Sequence, residues 1–413
     1  MIDQAIFSTV QRRIDSYREA MIQMQIGLTA IPALAPENGG DGEYEKARHL
    51  LANLSDLGFK DIQEISAPDS RVSSGVRPNI LARVPGKKDT RTVWILTHLD
   101  IVPPGEMKFW DSDPYRGYVK NDRIYGRGTE DNQQDLVASL FAAKAFLDEG
   151  IVPESNIGLA FVSDEETTSR LGLAYILRHE RNPFKKTDLL VVPDSGNEKG
   201  TMIEIAEKSI CWLRFNTVGK QCHASKPELG KNAFLAASHL VVRLDELHGA
   251  FGAVDKLYHP PMSTFQPTKK EMNVPNVNTI PGEDVFYLDC RILPQYSLQE
   301  VHGRIRSMAD DVERRFGVRI EIEAVQDVQA PAPTPEDAPV VLALQAAIRE
   351  VYRLHAKPEG IGAGTVAAYF RREGYPAAVW CRIGQTAHQP NENCLISSMM
   401  GNAKVYAHLF LQK

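Results

Sequence analysis

The sequence predicts an α/β fold, a mostly parallel sheet covered by helices, with a smaller α+β block inserted into it. Three observations carry this. Short, near-continuous apolar runs alternate with helical stretches, the pattern of strands buried on both faces. Between about residues 208 and 325 the strands instead alternate apolar and polar residues. At 413 residues the chain also exceeds one ordinary compact domain, so two are expected.

Apolar residues recur at helical spacing from Asp3 to Leu28, and Pro32 with Pro36 closes that segment. A second helix is expected from Glu43 to Leu57, before Gly58. Strands follow at Asn79–Val84, Thr92–Thr97, Ile157–Ser163, Leu189–Val192 and Ala377–Ile383, with helices at Asn132–Glu149 and Leu171–Arg181 between them. The inserted block reads as a strand at Ile210–Val218, a helix at Asn232–Leu247 and a strand at Val285–Ile292. A helix at Leu298–Phe316 and a strand at Arg319–Ala324 complete it, and the proline-rich stretch Ala330–Pro335 reads as a linker. The expected division is 1–207 with 326–413 for the α/β domain and 208–325 for the insert.

Composition excludes several classes. Hydrophobic residues at 43% and charged residues at 24% fit a globular core, and a net charge of -6 leaves no basic excess to neutralise nucleic-acid phosphates. Five cysteines without a CxxC pair speak against a disulfide framework and against a Cys-type zinc site. No apolar run approaches the roughly 20 residues that span a bilayer, and the N-terminus lacks a signal-peptide pattern. The expectation is a cytoplasmic soluble protein with neither membrane nor nucleic-acid partners.

Chemistry concentrates where strands end. His98-Leu99-Asp100 follows TVWILT, Asp164-Glu165-Glu166 follows IGLAFVS, Asp194 follows LLVVP, and His388 follows the strand ending near Ile383. Ligands of open α/β sheets bind at the carboxyl ends of strands, so these residues can converge. A fifth segment, GRGTEDNQQD, places Asp131 just before a helix. Singly each piece has an ordinary reading: a solvated turn for Asp-Glu-Glu, a helix N-cap for Asp131, turn chemistry for Asp194. Together they are a set of imidazoles and carboxylates, the ligands zinc takes where cysteine is absent. A carboxylate can bridge two metals, and Asp131 is the natural candidate; Asp100, two residues from His98, can orient its imidazole.

The order HLD, GRGTEDN, SDEE, PDSG, AHQPNE resembles the acetylornithine deacetylase and succinyl-diaminopimelate desuccinylase family of di-zinc metallohydrolases, relatives of glutamate carboxypeptidases, aminoacylases and dipeptidases. The resemblance runs from about Ile26 to the C-terminus. It implies a zinc-peptidase-like catalytic domain in which His98 and Asp194 hold one Zn2+, Glu166 and His388 the other, and Asp131 bridges them. Asp100 orients His98, and Glu165 is the general base. Co2+ or Mn2+ suits the same N/O ligands.

The insert resembles that family's lid and dimerisation domain, implying a homodimer in which His223, in GKQCHASKP, reaches the neighbouring active site. Asn278 and Arg291 resemble groups that bind a substrate carboxylate, a task for which the planar Arg fork is suited. Gly362-Ala363-Gly364-Thr365 is expected to open a helix leading to Phe370 and to hold an anion there. The remaining histidines, His302 among them, match no motif and read as structural or exposed. The substrate implied is an N-acyl amino acid, with N-succinyl-diaminopimelate or N-acetylornithine foremost. Those enzymes usually carry Glu where Asp194 stands, whereas dipeptidase-like relatives carry Asp, so a dipeptidase or carboxypeptidase is the rival reading. A non-catalytic binding protein would lack Glu165 or a ligand, and neither is missing.

Overall fold

The computed structural model describes residues 2–412. The chain forms two compact units: one comprises the residues up to Ile205, Thr334–Pro358 and the segment from Thr365 on; the other comprises Ala206–Pro333 and Glu359–Gly364.

The first unit is built on an eight-stranded sheet. Its centre consists of Ser155–Val162, Lys88–His98, Leu189–Asn197 and Ala377–Arg382, neighbours in that order and all parallel. Antiparallel strands flank them, Ile80–Val84 on one side and Met202–Glu207 on the other. Side chains alternate between the two faces: Trp94, Leu96, Val162, Leu190, Val192 and Val379 share one buried cluster with Leu173, Ile176 and Phe370 of the helices Leu173–Arg178 and Ala367–Arg372. The other side carries the helices Gln134–Asp148 and Ile396–Phe410, almost wholly buried. Gly158 is required where it stands, because a Cβ there would lie 2.3 Å from the indole of Trp94, its partner on the adjacent strand.

Several boundaries differ from expectation for local reasons. The N-terminal helical segment is two helices, Gln4–Ser16 and Arg18–Thr29, broken at Tyr17. The helix expected from Asn132 begins at Gln134, since Asp131 and Asn132 have non-helical backbones. Asp131 is therefore not that helix's cap. Gly362–Thr365 lies outside any helix; the next one, Ala367–Arg372, starts later and is short.

The second unit is a four-stranded antiparallel sheet in the order Thr264–Lys270, Glu283–Ile292, Ser209–Val218, Arg319–Val328. The helices Ala233–Arg243 and Leu298–Phe316 bury their apolar stripes on one face of it. Leu298–Phe316 is fixed at both ends, by a Ser297/Glu300 capping box and by Gly317 in the left-handed conformation.

Candidate metal centre

The four central strands end side by side, and their ends carry the predicted residues. His98 closes its strand opposite Val162, Glu165 and Glu166 follow Val162, Asp194 lies within Leu189–Asn197, and His388 follows Arg382. The Thr129–Gln133 turn brings Asp131 into their midst. His98 Nε2 is 3.0 Å from Asp131 Oδ1 and 3.5 Å from Asp194 Oδ1. His388 Nε2 is 3.1 Å from both Asp131 Oδ2 and Glu166 Oε2. The two oxygens of Asp131 thus face two different imidazoles. Glu165, His98 and Asp194 offer ligand atoms within 4.8 Å of one another, as do His98, Asp131 and Glu166.

The hydrogen bonding of His98 shows what this arrangement needs. Nδ1 lies 2.9 Å from the Asp100 carbonyl, which only accepts, so Nδ1 carries the proton. Neutral His98 therefore turns the lone pair of Nε2 toward two carboxylate oxygens. Acceptors face acceptors unless positive charge sits between them. Burial opposes that charge, but Asp100, Asp131 and Asp194 drive the His98 pKa well above its ordinary value. A metal ion meets the same demand without the proton. The donor set, two imidazoles and three carboxylates with no thiol, fits zinc and other borderline divalent ions.

The Asp131 carboxyl is held well below its usual range: burial opposes this, but His388 and His98 outweigh it. Burial first, then the charges of Asp194, Glu166 and Asp100, push the Glu165 carboxyl well above its ordinary value, while His98 opposes them. His388 has φ near 63°, an uncommon backbone for a non-glycine residue.

Beneath the ligands lies a layer of supporting groups, of which Asp100 was expected from the sequence and Asn132, Glu43 and Glu392 were not. Asn132 accepts from the His98 N–H (3.2 Å) and donates to Asp194 Oδ1 (3.2 Å), linking two ligand strands. Three buried carboxylates hold the ligand loops by their main chains. Glu43 accepts from Asp164 N at 3.2 Å. Asp100 accepts from Glu165 N at 3.2 Å and Glu166 N at 2.9 Å. Glu392 accepts from Glu130 N at 2.9 Å and Asp131 N at 3.1 Å. Asp100 thus orients His98 mainly through its carbonyl; its carboxylate, 3.6 Å from Nδ1, is engaged with the Glu165–Glu166 loop.

Arg77 is paired with Glu43, and Arg127 with Glu392, all buried. Among the described residues, Asp100 forms no ion pair with an arginine. Another buried cation in this layer is Lys46, 1% exposed, whose Nζ has no hydrogen-bond partner among the described residues. Burial pulls its pKa down to about 8 against the opposing pull of Asp100, then Glu43 and Glu392.

The second unit brings two other predicted residues together. Cys222–His223 pairs with Thr279–Ile280, and Ala224 N donates to the Asn278 carbonyl at 2.8 Å. His223 Nδ1 accepts from Ser225 N at 3.1 Å, so its exposed Nε2 carries the proton and is a donor. Arg291 directs its fork to Asp289 at 2.8 and 3.0 Å and donates to the Gly362 carbonyl at 2.9 Å. A Cβ at Gly364 would meet Ile210 Cδ1 at 3.8 Å, an ordinary van der Waals contact, and Thr365 falls in the first unit.

The sequence matches the profile of peptidase family M20/M25/M40 over residues 94–412. It is 38% identical over 414 aligned positions to an uncharacterised metallohydrolase of Methanococcus maripaludis, covering 95% of this chain and 98% of that one. It is 25% identical over 393 positions to a succinyl-diaminopimelate desuccinylase of Ruegeria, covering 94% and 97%. Human carnosine dipeptidase 1 shares the fold with a TM-score of 0.73 at 17% identity, over 100% of this chain and 99% of that one.

Fold, ligand cluster and relatives together define a metal-dependent hydrolase that cleaves amide bonds. The chain belongs to peptidase family M20/M25/M40.

Proposed function

We propose that the protein is a dinuclear zinc enzyme that removes the acyl group from an N-acyl amino acid, N-succinyl-diaminopimelate or N-acetylornithine being the first candidates. One observation carries the reading: Asp131 turns one oxygen to His98, which also faces Asp194, and the other to His388, which also faces Glu166. His98 and Asp194 would hold one ion, His388 and Glu166 the other, with Asp131 between them. Ions bound there supply Lewis acidity, acidifying water and polarising the scissile carbonyl.

Glu165, beside His98 and Asp194 but outside the ligand set, takes the proton of the attacking water and returns it to the departing amine. The Asp100 carboxylate, accepting from the Glu165 N–H, fixes where that base stands. In a dimer formed through the second unit, the Nε2–H of His223 would donate to the oxyanion of the neighbouring site. Asn278 lies beside it on the same small ribbon, suited to the same substrate. Arg291 would meet a substrate carboxylate by exchanging Asp289 for it, with Gly364 and Thr365 nearby in sequence to the carbonyl it already holds. Among the described residues no helix is long and apolar enough to cross a membrane, and the five cysteines are free, which supports a cytoplasmic setting.

A second reading, dipeptidase or carboxypeptidase, is favoured by Asp194 at a position where the deacylases usually carry Glu. An amine-release assay over succinyl-diaminopimelate, acetylornithine, other N-acyl amino acids and dipeptides separates the two. Turnover of dipeptides with none of any acylated amino acid would refute the deacylase. Glu165→Ala should keep its metal and lose amide hydrolysis by at least about 100-fold; full activity in that variant would overturn the mechanism.

A further inference from the structure

The second unit contains a cluster of metal-ligand side chains that the hydrolytic site does not use. Cys290, Cys211 and Asp327 stand in one row across three adjacent strands, Cys211 pairing with Cys290 on one side and with Asp327 on the other. Such direct cross-strand partners share a face of the sheet. The helix Leu298–Phe316 crosses that face and contributes His302. Its Nε2 is 3.7 Å from Cys211 Sγ and 3.0 Å from Asp327 Oδ1, and the three donor atoms all lie within 4.8 Å of one another. Both cysteines are 0% exposed, whereas the side chains of His302 and Asp327 are 32% and 40% exposed. The cluster therefore sits at the rim of the core, open to solvent on one side.

The plain alternative is a surface His–Asp pair beside a core thiol. Two features favour more than that. A single ring nitrogen faces both the sulfur and the carboxylate oxygen, so it is the common focus of two groups that are both anionic once the thiol ionises. The spacing is also that of ligands around one small cation. Zn–S near 2.3 Å and Zn–N near 2.05 Å at a tetrahedral angle put sulfur and nitrogen about 3.6 Å apart, and nitrogen and oxygen about 3.3 Å apart.

We propose that Cys211, His302 and Asp327 form a second metal site for a borderline divalent cation, Zn2+, separate from the hydrolytic pair. Water completes the tetrahedron from the open side. On binding, the Cys211 S–H bond breaks, its proton passes to solvent, and a metal–sulfur bond forms; no electron is transferred. Cys290, the cross-strand partner of Cys211, lies buried beside the ligand sulfur on the same face of the sheet. The ion would clip the helix Leu298–Phe316 to the strands Ser209–Val218 and Arg319–Val328. No CxxC spacing announces the site, because its three ligands come from three elements.

Cobalt tests this cleanly, since the hydrolytic cluster offers only nitrogen and oxygen ligands. The full-length protein, stripped by chelator and titrated with Co2+, should develop a thiolate-to-metal charge-transfer band and bind one equivalent more than the hydrolytic site takes. Cys211→Ser should lose both the band and that equivalent while retaining amide hydrolysis. His302→Gln and Asp327→Asn, at part-buried and exposed positions outside the core, should weaken this equivalent at least about 10-fold and leave hydrolysis intact. Absence of the band from the wild type, or its persistence in Cys211→Ser, would overturn the proposal. So would failure of the denatured, unreduced protein to take up alkylating agent at Cys211 and Cys290, which would mean a disulfide.

Discussion

Replacing Lys46 with methionine removes a charge with no hydrogen bond to lose, so the effect should appear as a change in how stability depends on pH. The Lys46 ammonium is buried, and its pKa in the fold is about 8 against an ordinary 10.5. The unfolded chain therefore holds the proton more tightly than the folded one. The stability linked to Lys46 is fully present above about pH 10.5 and is lost as pH falls through about 8. The whole shift corresponds to about 3 kcal/mol, of which about 2 kcal/mol develops between about pH 7.5 and about pH 9.5. Urea unfolding of the chelator-stripped protein, followed by fluorescence of the buried Trp94 and Trp380, measures this. Other groups titrate in the same window, so the quantity to read is the pH increment of the wild type minus that of Lys46→Met. A difference of about 2 kcal/mol is expected. Equal increments would refute the placement of a charged lysine under the site.

Other perturbations follow from the same geometry. Glu392→Gln leaves Arg127 without its buried partner and weakens the hold on the Glu130 and Asp131 N–H groups; metal affinity by chelator competition should fall about 10–100-fold, and an unchanged affinity would contradict that role. Gly158→Ala drives a methyl into the Trp94 ring and should destabilise the protein by about 1–3 kcal/mol in thermal unfolding, whereas an unshifted midpoint would show that the strands yield there. His223→Ala should lose activity while keeping its metal, and mixing it with Glu165→Ala should restore part of that activity if the histidine serves a second chain. No recovery after subunit exchange would confine His223 to its own protomer.

The strand ends were legible because each carries two signals at once: an apolar run long enough to be a buried strand, and a metal-ligand residue type directly after it. TVWILT before His98 and LLVVP before Asp194 are such places, and both strands run parallel as expected. Asp131 was legible as a ligand type but not as a conformation. Its N–H goes to Glu392, so the helix begins after it, and nothing local shows a partner 261 residues away. Glu43, Arg77 and Lys46 were invisible for a similar reason. A charged residue at a helix start reads as solvated, and only tertiary packing reveals that Glu43 and Arg77 neutralise each other in the interior. Glu392 stood inside the quoted AHQPNE motif, and that was the one available signal for it. Gly362–Thr365 misled because small residues before an apolar stretch look the same whether a helix starts at once or, as here, at Ala367.

The three carboxylates beneath the site grip their loops by backbone N–H groups, which every residue type except proline possesses. The grip on Asp164, Glu165, Glu166, Glu130 and Asp131 is therefore indifferent to the side chains those positions display. A mutation at a displayed position alters reactivity while the scaffold under it keeps its shape. The backbone that presents the ligands and the base is thus held by groups distinct from the side chains that give the site its chemistry.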